Sequence, residues 1–388
     1  MIHRVEPLPT TFLEPRHEEL RARIRSRAEA PLEEILRAFA SGTLDESAAA
    51  RAFVKALAQA DVLAAVVQGE ARSLAVAREE IAAVSGFADT ELALQGLGSD
   101  PIRRAGSPSL IREYVERAAF GERIAAFALT EKDAGSDARS LRTAARRDGN
   151  GYLVRGIKTL ITNAGIADFY TVFARLEGTP AGKDVPMVAL VVDAATPGVS
   201  VVERLKTLAP HPIGTVAFED CRVPLDHRLG EEGEGLDIAF ATLTRFRPSV
   251  GAAAVGLAGR AFAETLHHVQ TRRQFGRSLA QFEMVRERLA QMHAELESAR
   301  LQVYRAAWTQ DKSHGAGTVE SCASMAKLVA TETAGRIADQ AVQLFGGRGV
   351  VEGEIVESIY REVRALRIYE GSSEIQQLIL ARELLRPQ

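Results

Sequence analysis

The sequence predicts a mainly helical α+β fold in three parts: an N-terminal helical domain over 1–123, a middle antiparallel β-sandwich or barrel over 124–232, and a C-terminal four-helix bundle over 233–388. Three observations carry this. The first third is rich in Ala, Leu, Arg and Glu, with few β-branched runs. Between Ile124 and Leu229, short β-branched and aromatic runs alternate with Gly, Pro and Asn turns. From Leu236 onward, apolar residues return at helical spacing over long stretches.

Taken in order, Arg16 to Phe39 and Ser47 to Val84 read as helices, with Pro31 bending or splitting the first. Asp61 to Val67 is apolar nearly all round, as a helix inside a helical core would be. Ser107-Pro108 supplies an N-cap followed by proline at the first helical position. Tyr152 to Arg155, Phe169 to Phe173, Met187 to Val192 and Thr215 to Phe218 are candidate strands. Asp148-Gly149-Asn150-Gly151, Pro197-Gly198 and Pro210-His211-Pro212 are the turns among them. Gly230 to Gly235 reads as a closing turn, because it lacks the Gly-Lys-Ser/Thr ending of a phosphate-binding loop. Ser278 and Gln281 form a capping-box pattern. Behind it Phe282, Val285, Leu289, Met292, Leu296, Ala299 and Val303 recur at steps of three and four, the seam of a bundle helix. Thr318 to Phe345, Gly353 to Leu366 and Ser372 to Leu385 supply the remaining helices.

Composition narrows the function classes. Basic and acidic residues are balanced, 48 against 51, and interspersed, so no nucleic-acid surface is expected. Cys221 and Cys322 lie far apart in no metal-like spacing, which fits a reducing, cytoplasmic location and not a disulfide scaffold. His267-His268 lacks carboxylates at metal spacing, so no metal site is expected. Met1 to Leu13 has no apolar core of signal-peptide length, and no run approaches a membrane span.

The chemistry converges on the stretch from Ile368 to Gln376. Ser372 reads as the N-cap of the last helix, and Gly371 lets a ligand approach the backbone. Set between Tyr369 and an apolar helix, Glu370 is expected to be partly desolvated, which raises a carboxyl pKa and makes a useful base. Alone, the stretch also reads as a capped surface helix behind a solvated glutamate. Four other stretches carry more glycine, hydroxyl and charge than plain structure needs. Phe127 to Asp137 runs from a strand into a loop whose donors suit an aromatic heterocycle or an anion. Gly156 to Asn163 is a turn into a strand that ends in donors. Arg272 to Gly276 places basic residues before a glycine turn, a fit for phosphate, and Gln343 to Gly349 ends a helix in open glycine backbone.

Together, and in this order, these motifs resemble the acyl-CoA dehydrogenase family over nearly the whole chain. Thr130-Glu131 with Ala134-Gly135-Ser136-Asp137 is similar to its first signature, and Tyr369-Glu370-Gly371 with Glu374-Ile375-Gln376 to its second. The resemblance implies FAD as cofactor and oxidation of an acyl-CoA thioester to its trans-2,3-enoyl form. It implies Glu370 as the base for the α-proton, with the β-hydrogen leaving as hydride to the flavin. By the same resemblance, flavin contacts fall on Phe127, Leu129, Thr130, Gly135, Ser136, Leu160, Ile161 and Thr162. Further flavin contacts fall on Arg272, Phe282, Gln343, Leu344, Phe345, Gly346, Gly347, Ser372, Ser373 and Glu374. Acyl-CoA contacts are implied at Ser136, Arg247 and Gly371. Arg272 and the Gln343 run are expected to reach a neighbouring subunit's FAD, which implies a homo-oligomer, usually a dimer of dimers. Electrons are expected to pass to an electron transfer flavoprotein.

The chain departs from the family pattern at several places. Lys132-Asp133 stands for Pro-Gly, Leu160 for an aromatic that covers the flavin, Glu283 for Gln, and Ser372 for Thr. The loop Leu208 to Gly214 replaces a more polar segment of the family pattern. Where some relatives carry the base on the helix before Arg247, this chain has Phe246, which takes no proton. Two other readings stay open. One is a flavin oxidase of the same fold that uses dioxygen, for which an extra C-terminal domain is expected. The other is a non-catalytic interaction protein, against which Glu370 stands. The motifs leave the acyl group unassigned.

Overall fold

The computed structural model describes residues 2–8, 10–67, 69–178, 185–312 and 315–385. The chain groups into two compact units, one made of Met1–Glu33, Glu70–Asp89 and Thr244–Gln388, the other of Glu34–Gly69 and Thr90–Leu243. Helices α1 (Pro15–Arg27) and α2 (Glu29–Ala40) part at Ala28, and Pro31 falls in the first turn of α2, where its missing N–H matters least. The stretch expected as one helix from Ser47 to Val84 forms three: α3 (Glu46–Gln59), α4 (Leu63–Val67) and α5 (Ala71–Val84). Asp61 ends α3 by entering the left-handed region at φ 57°. Then follow α6 (Gly86–Ala105) and a short helical run capped by Ser107, whose Oγ accepts from the Leu110 N–H at 3.3 Å.

In the first unit, α5 is the helix everything else surrounds. Each of its residues except Ser73 is buried, including Arg72, Arg78, Glu79 and Glu80. Buried charges need partners, and all four have them. Arg72 Nε meets Asp311 at 2.7 Å, Glu79 accepts from Arg300 Nε at 2.8 Å, and Glu80 accepts from Arg21 Nε at 2.9 Å and Arg25 Nε at 2.8 Å. Arg78 pairs with Asp89.

The second unit carries one mixed sheet. Its strands are β1 (Ala125–Ala128), β2 (Ala144–Arg147), β3 (Gly151–Thr162), β4 (Phe169–Leu176), β5 (Met187–Asp193), β6 (Val199–Leu205), β7 (Ile213–Pro224) and β8 (Arg228–Leu229). The order is β6-β7-β3-β2-β4-β5-β8, with β1 also on β4. Most pairings are antiparallel, but β1 and β2 both run parallel to β4. Strands β4 and β5 are buried on both faces. Phe169, Phe173, Ala189 and Val191 face Ile102, Tyr114 and Leu236, while Tyr170, Val172, Val188 and Leu190 face Tyr152, Val154, Val216 and Phe218 of β3 and β7. The sheet thus folds over itself as a sandwich, and the two-faced burial explains the unbroken apolar runs. Strand β3 bends at two register shifts, Val154/Gly156 and Lys158/Ile161.

The bundle helices are α7 (Gly235–Thr271), α8 (Glu283–Asp311), α9 (Ala316–Phe345), α10 (Ile355–Leu366) and α11 (Ser373–Leu384). The α8 seam packs through Met292, Leu296, Ala299 and Val303, all buried, against the alanine-rich α9. Phe282, Val285 and Leu289 of the same seam remain half-buried. No helix among the described residues is long and apolar enough to cross a membrane.

Candidate active site

In the first unit, the turn between α10 and α11 holds Glu370. Glu370 and Gly371 are both left-handed, at φ 54° and 94°. For a glutamate this conformation is uncommon and must be imposed by surroundings. Glycine is favoured next because φ 94° strains any L side chain, and a Cβ there would also press on Gln376 Nε2 at 2.6 Å. That amide donates to the Gly371 carbonyl at 2.9 Å, and Lys327 Nζ from α9 donates to the same oxygen at 2.5 Å. Glu332 braces the turn from below, accepting from Ser373 Oγ at 2.6 Å and from Arg367 Nε at 2.8 Å.

Part of Glu370 is reachable from outside, but its Oε2 is enclosed and has no hydrogen-bond partner. Burial raises its carboxyl above the ordinary range; Arg78, Lys327 and Arg247 oppose that rise, and Asp89 adds to it. Arg78 is held in place, with Nε and Nη2 on the two Asp89 oxygens at 3.0 and 2.7 Å and Nη1 on Ser249 Oγ at 3.1 Å. Arg247 is buried, and its Nε and Nη1 have no partner. The Glu370 backbone N–H bonds to no other described residue. A half-buried carboxyl with one enclosed, unpartnered oxygen, set among cations, is suited to take a proton from a ligand.

The same unit gathers other expected residues around a hairpin, Arg273–Gln274 paired with Arg277–Ser278. Arg272 is exposed at its base. Phe345 stacks on His268 at 4.2 Å, and the His268 carbonyl accepts from the Arg272 N–H at 2.8 Å, so Arg272 and the Gln343–Gly347 run adjoin. Leu344 and Phe282 line one open groove of about 330 Å³ with Phe275, Met284 and Val285. Cβ atoms added at Gly346 or Gly347 would meet nothing within 4 Å.

In the second unit the first two motifs meet. The Thr159 N–H donates to the Thr130 carbonyl at 2.9 Å. Lys158, fully buried, donates to the Leu129 carbonyl at 3.0 Å and to Glu131 Oε1 at 2.8 Å. Glu131 also accepts from the Arg142 and Thr143 N–H groups at 2.6 and 2.9 Å. Burial pushes Glu131 up, but Lys158 and those N–H groups hold it below the ordinary range. Around this clamp Thr130 and Thr162 stay half-buried, and Gly135, Ser136 and Leu160 are exposed. Nothing lies within 4 Å of a Cβ at Gly135. Open backbone, hydroxyl donors and apolar cover are a set that fits a flavin. Phe127 is half-buried, its ring 4.9 Å from that of Phe173.

Sequence reasoning did not reach Lys327, Arg78 or Asp89. Lys327 carried one signal: it is the lysine of a small-residue run whose neighbours Ala323, Ala326, Ala330 and Thr331 are buried.

The second unit is thus a sandwich, and the C-terminal helices carry a half-buried acid on the turn before the last helix. Residues 126–221 match the family model for the acyl-CoA dehydrogenase middle domain, and residues 233–385 that for the acyl-CoA dehydrogenase C-terminal domain. The chain is 35% identical over 321 residues to cyclohexane-1-carbonyl-CoA dehydrogenase of Geobacter metallireducens, spanning 82% of this chain and 83% of the relative. It is 36% identical over 321 residues to the caffeyl-CoA reductase-Etf complex subunit CarC of Acetobacterium woodii, with the same coverage of 82% and 83%. The solved glutaryl-CoA dehydrogenase of Mycobacterium smegmatis in complex with FADH2 superposes with TM-score 0.87 at 25% identity, covering 96% of this chain and 95% of that one. The chain belongs to the acyl-CoA dehydrogenase family, FAD-dependent oxidoreductases that act on acyl-CoA.

Proposed function

We propose that the chain catalyses α,β-dehydrogenation of an acyl-CoA thioester to the trans-2,3-enoyl-CoA, with Glu370 removing the α-proton. The observation that carries this reading is the half-buried Glu370 carboxyl, one oxygen enclosed and unpartnered, on a left-handed turn within the influence of Arg78, Arg247 and Lys327. Those cations keep the buried group able to ionise, and its raised pKa makes it a stronger base than a solvated glutamate. The α-proton is acidic only while the thioester carbonyl is polarised, and the open Glu370 N–H is the donor this chain offers for that oxygen. Phe246 is fully buried and has no proton to exchange, so Glu370 acts without a second base there.

FAD, when bound, supplies the hydride acceptor that no side chain provides. Phe127, Leu129, Thr130, Gly135, Ser136, Leu160, Ile161 and Thr162 are proposed to hold it. Ser372, Ser373 and Glu374, and from a second copy Arg272, Phe282 and the Gln343–Gly347 run, are further proposed contacts. The apolar groove beside Phe275, 90% exposed, supports a homo-oligomer. An electron transfer flavoprotein is the proposed acceptor, as the name of the Acetobacterium relative suggests, and the free cysteines fit a cytoplasmic setting. The test is anaerobic flavin bleaching by straight, branched and cyclic acyl-CoAs, run with wild type and Glu370→Gln. Bleaching by none of the panel would refute the reaction.

A further inference from the structure

We propose that Lys327 is a positioning residue for Glu370: its ammonium anchors the Gly371 carbonyl, holds the Glu370–Gly371 turn left-handed, and sets a positive charge beside the carboxylate. The inference rests on the reading of Glu370 as the base.

Lys327 has no exposed surface. A buried ammonium is costly unless it is bonded and balanced by charge. Among the described residues, its ammonium bonds to a main-chain carbonyl alone, at 2.5 Å. A neutral carbonyl does not balance the charge, and Gln376 Nε2 already satisfies the same oxygen at 2.9 Å. As a donor, then, Lys327 shares the anchoring of that oxygen with the glutamine, each holding it from a different helix. What it adds is charge, directed at the turn that carries the acid.

The charges around the pair come from every neighbouring element. Facing Glu370 are Arg78 on α5, Asp89 on α6, Arg247 on α7 and Lys327 on α9. Facing Lys327 are Glu370, Arg247, Glu332 and Glu374. Asp89 binds Arg78 through both oxygens, so most of that cation's field is cancelled at its source. Glu332 is engaged by Ser373 and Arg367. Among the described residues, Arg247 and Lys327 are left as the buried cations near Glu370 with no carboxylate bonded to them. Arg247 sits on α7 beside Pro248, whereas Lys327 is tied to the residue that follows the base. Geometry and charge therefore act together at Lys327. Removing the cation leaves Glu370 protonated to higher pH, because a positive neighbour favours the ionised form.

The experiment uses flavin-loaded Lys327→Gln, which keeps a donor but no charge, and Lys327→Met, which keeps neither. The Gln376 bond to the Gly371 carbonyl remains in both variants. Two pH titrations are run on each holoenzyme: the rate of anaerobic bleaching by an acyl-CoA that reduces wild type, and the Glu370 carboxyl band by infrared difference spectroscopy. Loss of that band in Glu370→Gln assigns it. The expected result is a rise of about 1 pH unit in both midpoints for both variants, with bleaching at fixed acidic pH down about tenfold. At high pH Lys327→Gln should recover, and Lys327→Met should stay slower, which separates charge from anchoring. An unmoved infrared midpoint in loaded Lys327→Gln would overturn the proposal. So would failure of both variants to fold or load flavin, which would mark the lysine as structural. Wild-type bleaching by Glu370→Gln is a separate outcome that removes the base reading itself.

Discussion

Two residues of the motif stretches, Glu370 and Leu160, share almost the same strained backbone, at φ 54° and 55°, and differ in everything around it. Glu370 is held by side chains: Lys327 and Gln376 converge on the next carbonyl, and Glu332 braces the turn. Leu160 is held by the main chain, inside the β3 bulge between Lys158 and Ile161, and its side chain is 58% exposed. The comparison teaches that a left-handed residue can be fixed either by polar groups that also set its chemistry, or by sheet register that leaves the side chain free to vary. The first site should be intolerant of change and the second permissive.

The largest expected effect tests the intolerant side. Glu370→Gln should still bind FAD and acyl-CoA, because shape and backbone survive, but bleach about 100 to 10,000-fold more slowly. In wild type the rate should fall as pH drops through a midpoint above the ordinary carboxylate range, since burial raises Glu370 and only the ionised form accepts a proton. A midpoint at or below that range would break the comparison.

Next comes the frame that holds the bulge. Glu131→Ala strands the fully buried Lys158 and two main-chain donors, so denaturant unfolding should show a loss of about 3–5 kcal/mol. A loss within the scatter of surface mutations would mean that register does not depend on this pair. Arg272→Ala should leave stability alone, because the side chain is exposed, yet lower FAD content and oligomer size together. A fully flavinylated monomer would show that the groove and the cofactor are unrelated.

The smallest effects belong to Leu160. Leu160→Gly should raise stability by about 0.5–1 kcal/mol, because glycine adopts the left-handed region freely and little burial is lost. Leu160→Trp should leave substrate reduction unchanged and alter reoxidation by the partner flavoprotein or dioxygen, read by stopped flow. Equal rates with both acceptors would make this departure from the family a packing variant.

What was legible in the sequence follows from how far apart the interacting residues lie. Strands β3, β4, β5 and β7 announced themselves because their apolar runs are buried. Strand β6 did not, since it is an edge strand with five exposed residues, and neither did β2, which ends in two exposed arginines. Glu370 was readable from its glycine and its following cap. Its electrostatic setting was not, because Arg78, Arg247 and Lys327 come from three helices. Only the fold shows that Arg78 is buried, on a helix with no solvated face.

The burial of α5 also has a consequence for the order in which the chain is made. Its Glu79 is neutralised by Arg300, 221 residues later, and at about 5–20 residues per second that partner emerges roughly 10–45 s after the acid. Arg21 waits longer still for Tyr304, 283 residues away. The first unit therefore cannot close around its central helix during synthesis of the sandwich. Its earliest helices must stay loosely associated, or guarded by a chaperone, until the bundle arrives to complete them.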